Sequence, residues 1–163
     1  MMEASRNSST EKPRIALGAD HAGFQAKESI KKYLQAAGYT VSDAGTWSEE
    51  SVDYPDFAIQ VARRVQQRQD DLGILVCGTG IGMAMAANKI GGIRAAVAHD
   101  ALTARMSCEH NDANVLALGA RVLSEHQIIE AVESFLSAQF AGGRHQRRID
   151  KISELDQELK HKE

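Results

Sequence analysis

The sequence predicts an α/β fold in which an open, five-stranded parallel sheet lies between two layers of helices. Three observations predict it. Short apolar runs alternate with segments of helical period along the 163 residues, the mark of successive strand–helix units. The run Leu72 to Cys77 is apolar without alternation, as expected of a strand buried on both faces. Gly78-Thr79-Gly80-Ile81-Gly82 follows it directly and leads into an Ala- and Met-rich segment. Such a strand, tight loop and helix start bring backbone N–H groups and a helix dipole to one point, where an anion is favoured.

Taken in order, residues 1–12 are a polar tail expected to be disordered, and 13–163 form a single domain. Arg14–Ala19 is the first strand and ends at Asp20-His21-Ala22-Gly23. Phe24, Ile30, Tyr33, Leu34 and Ala37 then keep a helical period, with Gly38 placed as the helix stop. Tyr39–Val41 is a short second strand before a loop from Asp43 to Ser51. Asp53 is the expected N-cap of the second helix, with Pro55 in its first turn and an apolar stripe through Tyr54, Phe57, Ala58, Val61, Ala62 and Val65.

Ile93–Ala98 is the fourth strand, His99-Asp100 opens a helix through about Glu109, and Asn114–Leu118 is the fifth strand. Ser124 and Gln127 have capping-box spacing ahead of another apolar stripe. Right-handed crossovers follow for the connections, and the whole reads as a Rossmann-like three-layer sandwich. After Gly142-Gly143 a final helix, about 144–160, carries Ile149, Ile152, Leu155 and Leu159 on one side. It lies outside the five units and has no evident partner in the chain, so it is expected to serve in dimerisation.

Composition narrows the function. A net charge of −3 supplies no basic stripe for nucleic acid, and no apolar run approaches the ~20 residues of a membrane span. The N-terminus lacks a signal peptide's apolar segment, and two cysteines argue against a disulfide framework, so a cytoplasmic protein is expected. There is no C-x₂-C pair, H-E-x-x-H or G-x-S-x-G, so metal chemistry and serine hydrolysis are not indicated. The loop is neither the dinucleotide fingerprint nor a P-loop. No cofactor and no metal are expected.

Ligands of such sheets bind beyond the carboxyl ends of the strands. The polar residues to weigh are Asp20 and His21, Cys77 with the glycine loop, His99 and Asp100, His110 and Asn111, and Arg121. Each also has a purely structural reading: Cys77 as core, Asp20-His21 as a helix cap, His110-Asn111 as a helix end. Cys108 has no supporting context and reads as structural. Arg144 and Arg148 are spaced to project from one side of a helix and clamp a phosphate. A possible base, two acids, an N–H cradle and paired arginines together suit a small anionic substrate. This requires an anion-sized hollow between the Cys77 sulfur and the guanidinium pair.

Several blocks resemble the type B ribose-5-phosphate isomerases, within the wider family of ribose and galactose-6-phosphate isomerases. They are Gly18-Ala19-Asp20-His21-Ala22-Gly23-Phe24, Asp53-Tyr54-Pro55, Cys77-Gly78-Thr79-Gly80-Ile81-Gly82, Ala86-Ala87-Asn88-Lys89, Gly92-Ile93-Arg94-Ala95, His110 to Leu116 and Gly142-Gly143-Arg144-His145-Gln146. The resemblance runs from about Arg14 to Ile152. It implies metal-free interconversion of ribose 5-phosphate and ribulose 5-phosphate through a cis-enediolate. It makes Cys77 the base, His110 the acid that opens the furanose ring, and Asp20 its assistant. Gly78 to Gly82 and the Thr79 hydroxyl would face the enediolate oxygen. Asn111 would hold sugar hydroxyls, and Tyr54 would line the pocket. His21, Arg121, Arg144 and Arg148 would hold the phosphate, some from the second subunit of a homodimer or homotetramer. One branch of the family places a glutamate base where this chain has Met83, which cannot accept a proton. The rival readings are isomerisation of galactose 6-phosphate, allose 6-phosphate or a tetrose phosphate, or a non-catalytic phosphosugar-binding module.

Overall fold

The structure is a computed structural model that describes residues 11–160, so the tail expected at 1–12 lies outside it except for Glu11 and Lys12. Its elements are β1 (Ile15–Ala19), α1 (Phe24–Ala36), β2 (Val41–Asp43), α2 (Tyr54–Gln66), β3 (Leu72–Cys77), α3 (Ile81–Ala87), β4 (Ala95–Val97), α4 (Ala101–Asn111), β5 (Val115–Gly119), α5 (Glu125–Ser137) and α6 (Arg144–Lys160). All strand pairs are parallel, in the order β2-β1-β3-β5-β4. Among the described residues no helix is long and apolar enough to cross a membrane.

β1, β3 and β5 are buried along their whole length, which is why Leu72–Cys77 shows no alternation. Successive side chains of β3 feed opposite faces. Ile74 and Val76 join α1, α4 and α5 in one core, and Leu75 and Cys77 join α2 and α3 in the other. β1 sends its crossover toward β2 and β3 sends its own the other way, so a switch point opens at the carboxyl ends of β1 and β3. Asp20 and Cys77 stand on either side of it.

Four strands begin later than their sequence pattern indicates, β1 and β5 by one residue and β2 and β4 by two. Tyr39 does not open β2: its N–H closes α1 on the Leu34 carbonyl at 2.9 Å, while Ile15 N–H bonds the Thr40 carbonyl. β4 loses Ile93 and Arg94 in the same way, because Ile93 N–H bonds Ile90 in a turn and Arg94 N–H goes to the Asn114 side chain. Asp53 does precede α2, but its side chain makes no cap bond.

The final helix also departs from expectation. Ile149 is 2% exposed within the single chain, and Gly92 N–H donates to Asp156 Oδ2 at 2.8 Å. α6 therefore has an intrachain partner beside α4 and β4. What it leaves outward is Ile152 and Leu155, about half exposed. The side chain of Leu159 lies outside the described residues.

Candidate active site

The glycine loop folds back over the end of β3. Gly80 takes φ +80°, a left-handed conformation natural to glycine, and its N–H donates to Cys77 Sγ at 3.1 Å. This aims the positive end of an amide at the sulfur of a residue that is 5% exposed. Ile81 N–H is likewise engaged, with Thr79 Oγ1 at 3.3 Å. α3 is only seven residues long, so these individual amides, rather than a long helix dipole, set the local field.

The neighbours crowd in where glycine lacks a side chain. A Cβ at Gly82 would lie 2.6 Å from the Tyr54 ring, and one at Gly119 would lie 2.7 Å from the Thr79 backbone. Arg121 lies over Gly78, and its N–H bonds the Gly78 carbonyl at 3.0 Å. Thr79, Ile81, Tyr54 and Arg121 are exposed at this rim. Across the crevice Asp20 is buried at 7% exposure. Its N–H reaches the Val76 carbonyl at 3.2 Å, and its Oδ1 accepts Gly23 N–H at 3.0 Å. His21 Nδ1 accepts Val52 N–H at 3.2 Å, which assigns the proton of the neutral ring to Nε2. Asp20, His21, Tyr54, Cys77, Gly78, Thr79, Gly80, Ile81, Gly82 and Arg121 are thus brought together.

The remaining predicted residues gather elsewhere. α4 returns from β4 to the amino end of β5, and His110 and Asn111 close it. The His110 ring stacks on that of His145, centroids 4.4 Å apart and planes 9° from parallel. Arg144 and Arg148 flank His145 on the first turns of α6 and are exposed. Partial loss of water, then the charges of His110, Arg144 and Arg148, hold the His145 pKa below the usual histidine value. His145 had no distinguishing signal in the sequence beyond its place between two arginines.

The two clusters stand at opposite ends of the sheet. Gly73 pairs with Val115 at the amino end and Cys77 with Gly119 at the carboxyl end. Four residues of strand at ~3.3 Å each put about 13 Å between those levels. A single chain therefore has no hollow shared by the Cys77 sulfur and the guanidinium pair, contrary to expectation, because a parallel crossover always returns its helix to the amino edge.

Residues 15–152 match the family described as Ribose/Galactose Isomerase. Ribose-5-phosphate isomerase B of Escherichia coli is 47% identical over 144 residues, which cover 88% of this chain and 97% of that protein. Among solved structures, ribose-5-phosphate isomerase B of Clostridium thermocellum superposes with a TM-score of 0.88 at 49% identity, covering 90% of this chain and 99% of its own. That of Mycoplasma genitalium, solved with bound ribulose-5-phosphate, gives 0.86 at 44% identity over 89% and 97%. With a match that takes in every strand of the sheet and the start of α6, the chain belongs to the ribose/galactose isomerase family.

Proposed function

We propose that this chain interconverts ribose 5-phosphate and ribulose 5-phosphate through a cis-enediolate, using protein groups alone, in the cytoplasm. The observation that carries the reading is Cys77 Sγ at the carboxyl end of β3, under the Gly80 N–H and beside Thr79. The relatives named above, one of them holding ribulose-5-phosphate, support the substrate.

In this reading His110 protonates the ring oxygen of the furanose as its bond to C1 breaks, and Asp20 assists by taking the proton of the C1 hydroxyl, giving the open aldehyde. Cys77 takes the proton from C2, and the carbonyl oxygen at C1 gains the negative charge. Loop amides and the Thr79 hydroxyl stabilise it where it develops. The O2 hydroxyl proton then passes to O1 within the enediolate, and the same sulfur returns its proton to C1, leaving a hydroxyl at C1 and the ketone at C2. His21, Arg121, Arg144 and Arg148 hold the phosphate, far enough from the reacting carbons to orient without entering the chemistry. Asn111 binds sugar hydroxyls, and Tyr54 walls the pocket.

Since His110, Asn111, Arg144 and Arg148 sit at the far end of their own sheet, a second copy supplies them, and the working unit is a homodimer. In deuterated water with ribose 5-phosphate, wild type should form ribulose 5-phosphate with deuterium entering carbon-bound positions. Cys77→Ala should fold normally by circular dichroism and lose nearly all of both. Wild type that binds the sugar phosphate without exchange or product would make it a binding protein instead. The matched family also takes in galactose isomerases, and kcat/KM on galactose 6-phosphate should fall well below that on ribose 5-phosphate.

A further inference from the structure

Lys27, in the first turns of α1, is fully buried, with 0% exposure. Its ammonium touches both carboxylate oxygens of Asp43 at 2.7 Å and Glu28 at 3.1 Å. The Trp47 ring covers it, 4.8 Å from nitrogen to centroid. Asp43 in turn accepts Gly45 N–H at 2.9 Å. The Gly45 carbonyl takes Ala19 N–H, and Thr46 N–H reaches the Ala19 carbonyl, both at 2.7 Å. Ala19 is the residue before Asp20. From the other side, Lys27 N–H holds the Gly23 carbonyl at 2.8 Å, and Gly23 N–H holds the Asp20 carboxylate.

The bonds close a circuit around the turn that carries Asp20. Burying an ion pair adds little net stability, and an apolar pair of similar volume often serves as well. What the charges add is direction: Asp43 Oδ1 is fixed by Lys27 and the Gly45 N–H, and Oδ2 by Lys27 and by Lys31 at 2.8 Å.

We propose that Lys27 is a positioning residue for Asp20, holding the Asp20–Gly23 turn through its own backbone on one side and through Asp43 and Gly45 on the other. This rests on the isomerase reading, in which Asp20 assists ring opening. A displacement of about 1 Å in such a group costs up to ~10²-fold in rate.

A double-mutant cycle tests it. Lys27→Met should lower kcat on ribose 5-phosphate about 10- to 100-fold with KM within about threefold. In an Asp20→Asn background the same change should make less than about a twofold difference. Exchange of the C1 hydrogen of ribulose 5-phosphate, an open-chain substrate with no ring to open, should stay within about threefold of wild type. Equal losses in both backgrounds, or no loss in either, would overturn the proposal. If Lys27→Met fails to fold because Asp43 loses its buried partner and keeps only Lys31 and the Gly45 N–H, Lys27→Met/Asp43→Leu removes both charges and is put through the same cycle. Absence of exchange in wild type would count against the isomerase reading itself and not against the Lys27 circuit.

Discussion

Gly82 and Gly23 both face a neighbour where a side chain would stand, and the neighbours differ in kind. At Gly82 it is the exposed end of Tyr54, which can swing away; at Gly23 it is the Val76 carbonyl, set directly against the place a methyl group would take, which cannot. Gly82→Ala should therefore leave the melting temperature within a few degrees of wild type and raise KM severalfold. Gly23→Ala should lose the fold or melt far lower, as α1 is pushed off β3. Kinetics and thermal melts of the pair check this; a Gly82→Ala protein with unaltered KM would remove Tyr54 from the pocket wall. His145 binds fewer protons folded than unfolded, since its folded pKa is lowered. Its contribution is present above about pH 6.5 and is lost as pH falls through the folded value. His145→Phe should flatten the fall in melting temperature below about pH 6.5; an identical profile in both proteins would contradict this. At this scale Cys77 and its loop were legible because they are consecutive in the chain. The Tyr54–Gly82 contact and the His110–His145 stack were not, because they arise only when separate segments meet.

Elements were legible where a local bond defines them. Ser124 and Gln127 form the reciprocal cap that their spacing predicts, at 2.9 and 3.2 Å. Ser124→Ala should cost about 1 kcal/mol, read as a lower midpoint in urea with unchanged slope; no shift would mean that the cap is dispensable. The start of α4 hides the same device, because Thr103 takes the role usual for Glu or Gln: Asp100 N–H donates to its hydroxyl and its own N–H returns to the Asp100 carboxylate. Edge-strand limits were illegible for a related reason. Asn88 bonds both the N–H and the carbonyl of Ala95, standing in for a neighbouring strand, and Asn114 anchors Gly92 and Arg94. Apolar periodicity carries no trace of such side-chain bonds. In α6 the stripe was legible and its target was not: Ile149 turns inward to its own chain while Ile152 and Leu155 do not.

For the molecule as a whole, strand order decides what can meet. Parallel pairing sets the Asp20 and Cys77 cluster at one end of the sheet and the His110, Arg144 and Arg148 cluster at the other. The sequence blocks named both groups in order, but nothing in that order says that they belong to opposite ends. In the proposed reading the two clusters are half-sites that a second copy completes, and Ile152 and Leu155 are exposed on α6. This sharing is tested most directly by mixing two dead proteins, Cys77→Ser and His110→Asn, after unfolding and joint refolding. If each site takes its sulfur from one chain and its imidazole from the other, half of the dimers are mixed and each mixed dimer regains one site. Activity should then return to about a quarter of wild type. A mixture that forms mixed dimers by native mass spectrometry yet stays as inactive as its parents would contradict the account.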